Sequence, residues 1–224
     1  VKAGKSSLIN ALLNEVRAPS DVLPLTDEFT AYEIKREGVP QALILDSPGL
    51  ADMNAPLEKL VKEAAASDLI IWVASAARAD REIDAHGLEA IRRYFSERPN
   101  RRRPPIFLVL SHVDRLRPVQ DWKPPYDLGA SGDAKAASIK AAIQAVGADL
   151  GFPADAIVPA CLDASRGLYN VDAIWSEIMD QIPDAQRAQL VRAVRDLGTN
   201  FDWRRLRKQA LNAGRILGSA ILSR

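Results

Sequence analysis

Three continuously apolar runs constrain this chain more than any other feature: Ala42–Asp46 (ALILD), Leu69–Ala74 (LIIWVA) and Ile106–Leu110 (IFLVL). Short runs without alternation suit strands buried on both faces, as in a parallel sheet with helices above and below. Ala156–Pro159 (AIVP) reads as a shorter fourth strand, and the more alternating Ala31–Glu37 (AYEIKRE) suits an edge. Helical patterns lie between them, over Ser6–Asn14, Leu57–Ala66, Arg81–Arg98, Ala134–Leu150 and Val171–Ile182. This alternation predicts an open three-layer α/β domain that binds its ligand at the carboxyl ends of the strands. Pro183 interrupts the pattern, and Leu190, Val194, Leu197 and Phe201 then recur at helical spacing. The expected organisation is therefore a domain over 1–183 and a basic helical extension over 184–224. The proline-rich stretch Arg115–Ala130 is the main loop insertion, and a loop of that length is expected to be functional or mobile.

Composition narrows the class. At 47% hydrophobic and 26% charged residues, the chain is that of an ordinary soluble globular protein. It has no apolar stretch of the roughly 18–20 residues that cross a bilayer. Its single cysteine, Cys161, excludes an internal disulfide and fits a reducing cytoplasm. The net charge of +1 conceals an asymmetry: from Arg187 onward nine Lys/Arg face two Asp/Glu, leaving the body near −6. A basic tail of this kind can pack on its own domain, contact RNA or the ribosome, or lie on anionic lipid at the inner face of the membrane.

The chemistry begins at Val1–Asn10, VKAGKSSLIN. Gly4-Lys5-Ser6 before an apolar helix is the second half of a phosphate-binding loop, G-x-x-x-x-G-K-[ST]. In such a loop the backbone N–H groups from Ala3 to Ser7 and the helix N-terminus face phosphates, and Lys5 reaches the outer ones. Ser6 would place its hydroxyl on Mg²⁺. A plain helix cap is the alternative for so short a string. The second string, Asp46-Ser47-Pro48-Gly49, ends the run ALILD about forty residues after the lysine. An Asp there holds Mg²⁺ through water, and the Gly49 N–H senses a γ-phosphate; a simple turn is the alternative.

Ser111-His112-Val113-Asp114 follows the run IFLVL. The Asp114 carboxylate can accept from both N1–H and the 2-amino group of guanine, donors that adenine lacks. Ser111 and His112 replace the usual Asn/Thr and Lys of such a box, and the imidazole either stacks on the base or is a hydrogen-bonded loop histidine. Cys161-Leu162, after the last strand, stands where a backbone N–H would meet the guanine O6, although Cys161 reads equally as a small buried hydrophobe. A switch threonine that caps Mg²⁺ is expected at Thr26, with Thr30 as the alternative.

In this order the motifs resemble the Era/TrmE-type bacterial GTPases of the 50S ribosome-binding GTPase superfamily. Gly4-Lys5-Ser6-Ser7-Leu8-Ile9-Asn10-Ala11-Leu12 and Asp46-Ser47-Pro48-Gly49-Leu50 carry the likeness, which spans roughly Val1–Ile182. The block Ser111–Leu128 is similar to the YfjP/YeeP-like branch. The resemblance implies a Ras-like P-loop NTPase sheet, mostly parallel with one antiparallel strand, and GTP/GDP with Mg²⁺ as ligands. It implies a molecular switch acting on a protein effector or the ribosome. A membrane-associated dynamin-like GTPase and a nucleotide-binding module without useful hydrolysis are the alternatives. Leu50 stands where Ras-like enzymes carry a water-positioning glutamine, so slow intrinsic hydrolysis is expected. Lys2 stands where potassium-activated members carry an asparagine, and its ammonium is a candidate cationic finger supplied in cis beside Lys5 and Gly49. The resemblance also places a strand before the phosphate loop, between ALILD and LIIWVA. The natural protein is accordingly expected to be longer at its N-terminus.

Overall fold

The structure is a computed structural model that describes residues 3–13, 29–36, 39–50, 57–129 and 132–182. Lys2, Thr26 and the extension over 184–224 lie outside the described residues. The elements follow the order α1 (Lys5–Leu13), β1 (Thr30–Arg36), β2 (Val39–Asp46), α2 (Leu57–Ala66), β3 (Ile70–Ser75), α3 (Glu82–Ser96), β4 (Ile106–Ser111), α4 (Ala134–Leu150), β5 (Ile157–Pro159) and α5 (Val171–Gln181). This is the expected α/β order.

The strands form two ladders. β3, β4 and β5 are parallel neighbours in that order, while β1 and β2 form an antiparallel pair in which Thr30 stands opposite Asp46. The division falls between β2 and β3, the strands that the resemblance sets on either side of the one preceding the phosphate loop.

Alternation along β3–β5 builds two cores. Val73, Phe107, Val109 and Val158 face one way and join Leu8, Leu12, Ile174 and Trp175 of α1 and α5. Trp72, Ala74, Leu108, Leu110 and Ile157 face the other way and join residues of α2, α3 and α4. Each apolar run is thus divided between two helical layers, which is why it carries no polar alternation. β2 departs from that expectation. Ala42 and Ile44 pack towards the α1/α5 core, but Leu43 and Leu45 remain 56% and 39% exposed, so ALILD is covered on one face only.

Helix α4 shows how local chemistry sets the site. The Asp133 carboxylate caps it, accepting from the Lys135 and Ala136 amides at 2.8 and 3.0 Å. At its far end Gly151 adopts φ 68°. Gly147 lies so close to the following loop that a Cβ there would stand 2.7 Å from the Phe152 carbonyl oxygen.

Candidate nucleotide site

The phosphate-loop residues and the two aspartates converge at the carboxyl ends of β2 and β4. Gly4 has φ +93°, and a Cβ on it would stand 3.4 Å from both His112 Cε1 and Ser111 Cβ. Glycine is favoured there by conformation, and the added Cβ would meet only ordinary contacts. Its carbonyl accepts from the Leu8 amide at 2.8 Å, starting α1 directly behind the loop. Lys5 opens that helix, and Ser7 is half-buried in its first turn.

The Ser6 hydroxyl donates to Asp46 Oδ2 at 3.1 Å across forty residues of sequence. Asp46 ends β2 and is only 2% exposed. Burial pushes its carboxyl up from the usual range, while the Lys5 ammonium and the Ser6 hydroxyl hold it down. Its second oxygen, Oδ1, is buried with no hydrogen-bond partner among the described residues. A buried carboxylate with one oxygen unsatisfied, beside a serine hydroxyl, is a hard oxygen donor set that fits Mg²⁺. Beyond it, Pro48 is buried and Gly49 half-buried. Leu50 packs at α3: its Cδ1 would stand 2.9 Å from a Cβ on Gly87, close to the Trp72 ring.

At the end of β4, fully buried Ser111 ties three elements together. Its hydroxyl lies 2.5 Å from the Ala3 carbonyl, 3.2 Å from the Ala74 carbonyl of β3 and 2.8 Å from His112 Nδ1. With its one proton on Ala3, the hydroxyl can accept from an Nδ1–H tautomer of His112. His112 is left-handed at φ 58°, and burial lowers its pKa, favouring the neutral ring. The ring is hydrogen-bonded to Ser111 and lies beside Gly4. Asp114 sits in the turn Val113–Arg115 and is 3% exposed.

The last loop departs from expectation at Cys161. Its backbone N–H donates to the Tyr169 carbonyl at 3.3 Å, and Tyr169 returns the bond at 3.0 Å. That amide is therefore engaged, and Leu162 is the residue of the pair left to offer one. Cys161 is fully buried, and its thiol is pushed up to about 11, the behaviour of a small hydrophobe.

Sequence reasoning missed three residues here. Arg166, in the turn Ala164–Arg166, brings its Nε to 3.6 Å from Asp114 Oδ2 and donates from Nη2 to the Val119 carbonyl at 3.2 Å. Trp122, in the proline-rich loop, donates from Nε1 to the Arg166 carbonyl at 2.9 Å and stacks edge-on against Tyr169. Lys135 is buried beneath them, its ammonium donating to the carbonyls of Asp114 and Leu116. One signal was visible for Lys135: it shares the apolar stripe of α4 with Ile139, Ile143, Val146 and Leu150. Arg166 and Trp122 carried none.

The sequence model of the 50S ribosome-binding GTPase family matches residues 1–112. The tRNA modification GTPase MnmE of Moorella thermoacetica is 34% identical over 94 residues, covering 40% of this chain and 20% of that protein. The chain thus spans about a fifth of that relative's length. Among solved structures, a dimerization-deficient mutant of Toc33 from Arabidopsis thaliana aligns over 88% of this chain and 80% of its own, with a TM-score of 0.47 and 20% identity. The family match runs from the phosphate loop through both Asp46 and the end of β4, half of the 224 residues, and the chain belongs to the 50S ribosome-binding GTPase family.

Proposed function

We propose that this protein is a GTP-dependent molecular switch that hydrolyses GTP slowly in the absence of a partner. The observation that carries the reading is the Ser6–Asp46 contact, which joins the phosphate loop to the end of β2 beside an unsatisfied carboxylate oxygen. In this reading the backbone from Ala3 to Ser7 cradles the phosphates, and Lys5 neutralises them. Ser6 and Asp46 hold Mg²⁺, with Thr26 completing the set. The metal's contribution is to offset charge on the phosphates. Asp114 selects guanine, Ser111 fixes the phosphate loop against β4, and Leu162 offers its amide to the base. Gly49 reports on the γ-phosphate.

Leu50 supports slow turnover. The Leu50 side chain packs towards Gly87 and Trp72, and leucine has no group with which to orient water. Lys2 is the candidate that would supply a cation in cis. The test is multiple-turnover phosphate release with GTP and with ATP in the presence of Mg²⁺. Slow release from GTP, abolished by Lys5→Ala and absent with ATP, is the expected result. Equal release from ATP would remove the guanine assignment, and no release from either would leave a binding module.

The basic extension supports a contact with an anionic partner. Co-sedimentation with anionic vesicles, with and without residues 187–224, separates a dynamin-like membrane role from a cytoplasmic switch.

A further inference from the structure

The proline-rich loop folds over one buried cation. Lys135 is 1% exposed, yet among the described residues no carboxylate lies at ion-pair distance from its ammonium. The ammonium donates to the Asp114 carbonyl at 2.8 Å and to the Leu116 carbonyl, and it lies 5.5 Å from the Trp122 ring centroid. Burial lowers its pKa, and the Asp114 and Asp121 carboxylates only partly offset this. Taking an ammonium out of water is costly, and an apolar side chain would continue the α4 stripe at a smaller penalty. Stability alone therefore does not explain a lysine at this position.

Its contacts do. The two carbonyls belong to the turn that carries the Asp114 side chain, so the ammonium fixes the backbone of that turn from below. Arg166 meets the Asp114 carboxylate from the side, and Trp122 is bonded to the Arg166 carbonyl, which closes the assembly. The Asp133 cap anchors the first turn of α4 and with it the lysine stem. Two parallel hydrogen bonds from a base edge to one carboxylate need placement to about half an ångström, which a free loop would not supply.

We propose that Lys135 is a positioning residue for guanine discrimination, holding Asp114 in the orientation that receives both donors of the base. The proposal rests on the reading of Asp114 as the guanine acceptor.

Inosine diphosphate tests it, because it keeps N1–H and lacks the 2-amino group. Equilibrium affinities for GDP and IDP with Mg²⁺ are to be measured for wild type, Lys135→Met and Lys135→Gln, the last keeping N–H donors but on a shorter, uncharged side chain. The expected wild type prefers GDP. Lys135→Met should reduce the GDP/IDP ratio at least fivefold, with IDP weakened less than GDP because it makes only one of the two bonds, and Lys135→Gln should fall between. Equal weakening of both nucleotides in a variant that folds overturns the proposal. A ratio unchanged in either variant overturns it too, and Lys135→Gln decides alone if Lys135→Met does not fold. A wild type that binds GDP and IDP equally well refutes the Asp114 reading itself, and the proposal with it. A selective wild type with an intact ratio in the variants refutes only Lys135.

Discussion

Ser6 and Asp46 meet at 3.1 Å between the first turn of α1 and the end of β2, and Asp46 Oδ1 is left buried with no partner among the described residues. A buried polar atom in that condition is costly, and natural sites retain such costs where a ligand removes them.

Asp46→Asn should therefore raise the stability of the nucleotide-free protein and weaken Mg²⁺-dependent nucleotide binding by about tenfold or more, the scale of a lost charge-assisted contact. The pH dependence has a definite sign. Burial raises the Asp46 pKa above its ordinary value, so the folded state holds the proton longer than the unfolded chain. Stability then falls as pH rises from that ordinary value through the raised one. Thermal melts across that window should show the decline in wild type and its loss in Asp46→Asn.

The Ser111 hydroxyl ties the Ala3 carbonyl to the end of β4. Ser111→Ala leaves the Ala3 carbonyl without that donor, at a cost of about 1–3 kcal/mol. Nucleotide affinity should fall with stability, because the phosphate loop loses its tie to β4. Ser111→Thr keeps the hydroxyl and should retain binding. Chemical denaturation paired with GDP titration checks both variants.

Gly147→Ala should destabilise by about 1–3 kcal/mol despite the better helix propensity of alanine. The new Cβ would stand 2.7 Å from the Phe152 carbonyl oxygen, which is backbone and cannot swing aside. Nucleotide selectivity should be unchanged, since the clash lies at the end of α4 opposite Lys135. Urea denaturation and GDP binding on the same sample would show the separation.

The helices α2 and α4 were legible to the residue from their apolar periodicity, over Leu57–Ala66 and Ala134–Leu150. The runs in β3 and β4 were legible as buried for the reason the structure gives: their two faces join two cores. Leu43 and Leu45 were not, since apolar identity alone does not say which face of a strand is covered. In the site, Gly4, Ser6, Asp46 and Asp114 stood out because each sits at a fixed offset from a strand or helix end. Lys135 and Arg166 reach Asp114 through tertiary contacts over 21 residues and 52 residues, and no local spacing encodes that. The amide of Cys161 was spent on Tyr169 by a bridge that depends on how the loop closes.

Asp114→Asn replaces a double acceptor with a mixed amide and should move preference from guanine towards xanthine nucleotides. Competition between GDP and XDP on the variant would register the exchange. An Asn variant that still prefers GDP would place base recognition elsewhere.

The most direct test of the whole account is equilibrium binding of GDP and ADP to the wild-type protein, each measured with Mg²⁺ and with the metal chelated. The account predicts GDP binding at least about a hundredfold tighter than ADP, the scale expected when a site built around two base donors meets a base that lacks them. It also predicts that chelation weakens GDP. Comparable affinities for the two nucleotides, with or without metal, would contradict it.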